Sequence, residues 1–159
     1  MFRIYRDVRF SRDKTPYKTH VAVRFEHTSS KQGAAPGCYV SLAPGEVFVG
    51  VGIWRPPGPD LNQIRARIDS RQKAWLRARN DQEFAQLFEW GGESLKRPPR
   101  GYSADHPLID DLKRKDLAAF RKLTVKDALR TDFPDTVGDA FLAARPLMAF
   151  LAEATGVDF

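Results

Sequence analysis

The spacing of apolar residues changes near residue 55, and that change limits the folds open to the chain. Before it the period is two. Phe2, Ile4, Val8 and Phe10 share one face of a strand, and Arg3, Tyr5, Asp7 and Arg9 share the other. Arg6 falls on the apolar face, where an arginine either snorkels at a sheet edge or is buried against a carboxylate such as Asp7 of a neighbouring layer or Asp13. After the turn Asp13-Lys14-Thr15-Pro16, Val21, Val23 and Phe25 alternate with Ala22, Arg24 and Glu26 in a second strand. Residues 28–37 read as a loop, and residues 38–42 and 47–54 as a third and fourth strand joined by Ala43-Pro44-Gly45-Glu46, the composition of a hairpin turn. On the fourth, Val47, Val49, Val51 and Ile53 line one face, while Phe48, Gly50, Gly52 and Trp54 line the other. Two glycines leave a shallow floor there, for a closely packed helix or for a ligand approaching the backbone; close packing is the commoner cause.

Arg55-Pro56-Pro57-Gly58-Pro59 stops the sheet, and spacings of three and four take over. Asp60 with Gln63 resembles a capping box before Leu61, Ile64 and Ile68; Ser70 restarts a helix carrying Trp75 and Leu76; Asn80 with Glu83 caps another before Phe84, Leu87 and Phe88. The cations Arg65, Arg67, Arg71, Lys73, Arg77 and Arg79 read as a solvated helix surface. Gly91-Gly92, Pro98-Pro99 and Gly101 make residues 91–102 a long loop. Pro107 then opens a short helix ending at Lys113-Arg114-Lys115, where cations suit the carboxyl end. Residues 117–123 fit a fifth strand or a helix, and Thr124 with Asp127 caps a short helix. Val137, Phe141, Ala144, Leu147, Phe150 and Leu151 give a closing amphipathic helix, kinked at Pro146.

Strands first and helices after predict an α+β fold, a mainly antiparallel sheet of about four to six strands covered by helices. A chain of 159 residues suffices for one domain with a real core, so residues 1–159 are expected to form a single domain, strand-rich over 1–55 and helix-rich over 60–156. Lys and Arg total 26 against 20 Asp and Glu, a formal charge of +6 that favours anionic partners. Residues 1–122 hold 23 basic and 14 acidic side chains, so the cationic surface belongs to the first three quarters. The single cysteine, Cys38, excludes an internal disulfide and a multi-thiolate metal site, and it reads as a half-buried strand residue. With no membrane-length apolar run and no signal-peptide core after Met1, a cytoplasmic protein with no membrane partner is expected.

Three motifs recur in order: Arg6-Asp7-Val8-Arg9-Phe10-Ser11 continuing through Asp13-Lys14, Pro16 and Tyr17-Lys18-Thr19; Gly92-Glu93-Ser94-Leu95-Lys96-Arg97 with Pro99 and Gly101-Tyr102; and Asp105-His106-Pro107-Leu108. In these the chain resembles the family catalogued as domain of unknown function 2461, over essentially its whole length. The resemblance implies no particular reaction. Members usually carry an additional amino-terminal helical segment, and its apparent absence here makes a second copy of the chain, a homodimer, the expected cover for the exposed apolar faces.

The functional expectation is a basic pocket for a small phosphorylated or carboxylated ligand. Arg6, Arg9, Lys14, Lys18, Lys96, Arg97 and Arg100 would supply charge, with Ser11, Tyr17 and Tyr102 as neutral partners and residues 92–102 closing the site. An ion-pair network with Asp7, Asp13 and Glu93 is the structural alternative. A hydrolase or transferase would draw on His20, His106, Asp7, Asp105 and Tyr17, although Asp105 and His106 sit where a helix begins and read as caps. No metal and no cofactor are expected. Nucleic acid is a weaker version of the anion, since no recognised motif accompanies the Arg-rich helix, and a protein-interaction module would use the flat Gly50 and Gly52 face.

Overall fold

The computed structural model describes Tyr5, residues 9–10, Arg12, residues 14–26 and residues 34–157. The strand expected over residues 2–10 therefore lies outside the described residues, apart from Tyr5 and residues 9–10, as does most of the loop expected over 28–37. The alternation that follows becomes β1 (Val21–Glu26), β2 (Gly37–Ala43) and β3 (Glu46–Ile53), an antiparallel meander. The β2–β3 connection is the expected hairpin, with Gly45 at φ 80°. β5 (Leu117–Leu123) then pairs with β3, and the two-residue β4 (Glu89–Trp90) pairs with β5, giving a five-stranded antiparallel sheet in the order β1-β2-β3-β5-β4. Of the two readings of residues 117–123 the strand prevails. Leu117, Ala119 and Leu123 stand opposite Ile53, Val51 and Val47, so this face of the segment continues a row already apolar, except for Arg121 opposite Val49, whose Nη1 donates to the Thr136 carbonyl at 3.5 Å.

Partners across strands share a face, which assigns the two sides of the sheet. Val49, Val51, Ile53, Leu117 and Ala119 are buried together with helical residues Ile64, Ile68, Trp75, Leu147 and Leu151, so this is the face the helices cover. Burial of each large apolar side chain there contributes about 1.5–3 kcal/mol. The layer comprises α1 (Gly58–Ser70), α2 (Gln72–Arg79), α3 (Gln82–Leu87), α4 (Ile109–Leu112), α5 (Val125–Ala128), α6 (Phe133–Ala143) and α7 (Arg145–Thr155).

Several boundaries differ from the sequence reading for physical reasons. α1 starts at Gly58, with Pro59 in its first turn, and Asp60 does not cap it; its carboxylate instead accepts the backbone N–H of Ala34 at 3.0 Å. The cap of α3 is Asp81, not Asn80, and accepts from the amides of Glu83 and Phe84, both at 3.2 Å. Thr124 and Asp127 form the expected capping box. α4 begins at Ile109 rather than Pro107. The closing helix is two helices, parted at Ala144, because Pro146 fits the first turn of α7 and not the interior of a continuous helix. Arg65 is not on a solvated surface. It is buried, and its Nε donates to the Leu112 carbonyl at 2.8 Å and its Nη2 to that of Arg114 at 3.2 Å, with burial holding its pKa below the usual arginine value.

Candidate functional site

The face away from the helices carries a row of aromatic side chains. Tyr39 on β2, Phe48 on β3 and Phe120 on β5 belong to it by register, and Trp54 continues it past the end of β3. Ring centroids lie 5.7 Å apart for Tyr39 and Phe48, 5.7 Å for Phe48 and Phe120, and 5.9 Å for Trp54 and Phe120, the last two edge to face. Between them is a cleft of about 500 Å³ floored by Gly37, Gly50 and Gly52. Arg24 closes it on the β1 side, its Nε held 3.1 Å from Glu26 Oε1. Trp54 is 53% exposed, and the Arg55 guanidinium stands 5.8 Å from its ring.

What packs on the glycine floor is an aromatic ring and a strand, not a helix. A Cβ at Gly50 would lie 3.2 Å from one edge of the Phe120 ring, and a Cβ at Gly91 would lie 2.5 Å from the other. Phe120 thus spans from β3 toward β4 with both edges confined. On its far side is a second cleft of about 440 Å³, where Glu46, Glu89 and Lys122 join Phe48 and Phe120.

One buried carboxylate organises the rim. Asp116 is 4% exposed and immediately precedes β5. Its two oxygens accept the backbone amides of Arg55 and Glu93, both at 2.9 Å, so each is satisfied without a cation. Arg55 is the one described non-glycine residue with positive φ, at 51°. Glu93 follows Gly92 and holds Lys115 through a 2.8 Å ion pair, which keeps its carboxyl below the ordinary range.

The remaining polar clusters support the fold. Buried Asp111 accepts the Trp75 indole N–H at 2.9 Å and pairs with Arg79, while the Arg114 guanidinium stacks 4.6 Å from the Trp90 centroid. His106 Nδ1 accepts the Leu108 amide at 3.0 Å, so Nε2 carries the ring proton and donates to Asp69, also at 3.0 Å. That clasp accounts for the Asp105-His106-Pro107 motif as loop structure. Tyr102 packs edge-on against His106 at 6.0 Å; burial first, then Asp69, raises its pKa, opposed by Arg65.

Of the residues expected to form a basic pocket, Arg6 and Ser11 lie outside the described residues. Arg9 stands 5.9 Å from the exposed Phe10 ring, Tyr17 stacks on Tyr5 at 5.6 Å, Lys14 is exposed and Lys18 half-buried. Lys96, Arg97 and Arg100 are exposed on the 91–102 loop, and Tyr102 is half-buried. Sheet register sets the anchor points of these two groups at opposite corners. Val21 starts β1 at the Leu42 and Val47 end, whereas the loop departs beside Asp116, at the Ile53 end of β3 and beyond the other edge of the sheet. Those corners are separated by about 20 Å along the strands and about 19 Å across them. The sequence reading flagged the Gly50 and Gly52 floor but missed Arg24, Tyr39 and Phe120 as its walls; only strand pairing joins them.

A five-stranded antiparallel sheet with helices on one face and an aromatic cleft on the other defines an α+β protein with a concave site on its sheet. The chain belongs to the conserved hypothetical protein family DUF2461, whose model matches residues 1–150. No curated protein and no solved structure matches it. Among the described residues, no helix is long and apolar enough to cross a membrane.

Proposed function

We propose that the protein binds a small phosphorylated or carboxylated molecule bearing a planar ring, and that it does so in the cleft of Tyr39, Phe48, Trp54 and Phe120. The observation that carries this reading is the cleft itself: about 500 Å³ of mostly aromatic wall with guanidinium groups at its margin. That volume suits a small ligand. Stacking of a planar body on these rings contributes about 0.5–1.5 kcal/mol per ring pair, and Arg55, with the Arg24 nitrogens that its Nε–Glu26 pair does not use, offers donors to an anionic group. The cationic surplus of residues 1–122 favours approach of such a ligand.

Binding is favoured over a hydrolase or transferase reaction because, among the described residues, the side chains lining the cleft supply stacking and charge, not an acid and base pair. Cys38 contributes no nucleophile: it packs with the helix-side core, and burial pushes its thiol up to about 11.

Tryptophan fluorescence tests the reading, since Trp75 is fully buried, Trp90 packs against Trp75 and Arg114 outside this cleft, and Trp54 is exposed at its wall. Titration with adenosine monophosphate, benzoate, adenosine and inorganic phosphate should show quenching by the ring-bearing anions, and at least about tenfold weaker binding of the uncharged ring and of phosphate alone. The response should disappear in Trp54→Phe, and Arg24→Gln should weaken binding while the protein stays folded. Ring-bearing anions without effect on wild type, or unchanged affinity in folded Arg24→Gln, would overturn the proposal.

A further inference from the structure

The two clefts on the sheet are not separate features. Both are walled by Phe48 and Phe120, and together they cross β2, β3, β5 and β4 as one trough with the Phe120 ring as a partition. Gly50 and Gly91 confine that ring from both sides, and either Cβ would press on its edge. A partition fixed in this way divides the trough into two ring-sized compartments. Trp54, Tyr39 and Arg24 belong to one, and Lys122, Glu46 and Glu89 to the other.

We infer that the trough takes two linked planar rings, and that its ligand is a short single strand of nucleic acid. This rests on the reading of the first cleft given under Proposed function and extends it to a second nucleotide. Aromatic side chains displayed on adjacent strands of an antiparallel sheet, flanked by cations, are a general means of stacking successive bases while basic groups follow the backbone. Each ingredient is present. Adjacent strands β2, β3 and β5 each contribute a ring, and Arg24 and Lys122 lie on the same face, in the cationic part of the chain. Lys122 makes no ion pair within the described residues, so its ammonium group is available to a phosphate.

The carboxylates of the second compartment sharpen the assignment. Glu46 and Glu89 repel a phosphate but accept hydrogen bonds from exocyclic amino groups, as carboxylates do from cytosine N4. A base belongs beside them, therefore, and the backbone runs past Lys122. A strand with amino-bearing bases should be preferred over one of thymine.

Fluorescence anisotropy of the full chain with labelled cytidylate and thymidylate tetranucleotides, run beside unlabelled cytidine monophosphate in competition, tests the inference. Expected are affinity for the cytidylate tetramer at least about tenfold above that for the monophosphate, a clear preference over the thymidylate tetramer, and loss of affinity with added salt. Lys122→Gln, an exposed substitution, should weaken tetramer binding with no change in melting temperature. If monophosphate and tetramer bind alike, the two-compartment trough is wrong and the single cleft stands. If neither binds, the inference fails, and the titration with adenosine monophosphate and benzoate decides separately whether the single cleft stands. A chain that sediments as a dimer and does not bind the tetramer would assign the face to a second copy and overturn the inference.

Discussion

Asp116 Oδ1 accepts the backbone N–H of Arg55 at 2.9 Å, joining a residue just past the end of β3 to the residue before β5 across 61 positions of sequence. Its other oxygen accepts Glu93 N–H at the same distance, so a single buried carboxylate ties the margin of the cleft to the 91–102 loop. Asn at this position would present an amide N–H to one of the two backbone donors. Asp116→Asn should therefore cost about 1–3 kcal/mol in urea denaturation, and Asp116→Ala, which strands both amides, more. Trp54 fluorescence should shift in both variants because the neighbouring Arg55 loses its anchor. Unchanged stability in Asp116→Asn would mean that water replaces the lost acceptor at no cost.

Neither this residue nor its partners announce themselves in the sequence. Lys113-Arg114-Lys115 reads as the cationic end of a short helix, and nothing local indicates that the Asp116 after it faces two amides from distant segments. By contrast β1, β2 and β3 were legible, since strict alternation of Val21, Val23 and Phe25 or of Val47, Val49, Val51 and Ile53 admits one sheet face. Caps were legible where the side chain and its target amides are three residues apart, as at Thr124 and Asp127, and misread where a long-range partner wins, as when Asp60 turns to Ala34. The cleft was half legible. Phe48, Gly50, Gly52 and Trp54 fall in one stretch of chain and are read together, whereas Arg24, Tyr39 and Phe120 come from three other strands and meet them only through register.

Two glycines with similar backbone angles should respond differently to alanine. Gly45 has φ 80° with nothing near its missing Cβ, so Gly45→Ala should cost about 1–2 kcal/mol, the strain of the left-handed region alone. Gly92 has φ 85°, and its Cβ would lie 2.6 Å from Asp116 Oδ2, so strain and collision add. Gly92→Ala should be the more destabilising in thermal melts and should also disturb Trp54. Equal losses would show that Asp116 moves aside freely.

Asp111 is 3% exposed and serves the Trp75 indole and Arg79 through the same oxygen. Its removal leaves a buried N–H and a partly buried cation unpaired, and Asp111→Ala should cost about 3–5 kcal/mol. Trp75→Phe removes the donor as well as part of the core volume. The double variant should therefore lose less than the sum of the single losses in chemical denaturation. Strict additivity would mean that the indole N–H finds another acceptor.

Cys38 gives the alkaline side of the stability profile a definite sign. Burial among Val51 and helix residues raises its thiol to about 11, against 9.0 for the exposed group. Below about pH 9 the thiol is protonated in both folded and unfolded chains, and its ionisation leaves stability unchanged. Between the two values the unfolded chain releases a proton that the folded chain retains, so the native state binds more protons and stability falls as pH rises through that window. Cys38→Ala removes this loss while opening a small core defect. The melting-temperature advantage of wild type over Cys38→Ala should therefore be largest near pH 8 and should shrink near pH 10.5. At pH 8 the native thiol should also react with a disulfide reagent far more slowly than in urea, since both burial and its protonated state oppose attack. Fast labelling of the native protein, or a pH-independent gap between the two melting curves, would place the thiol in contact with solvent instead.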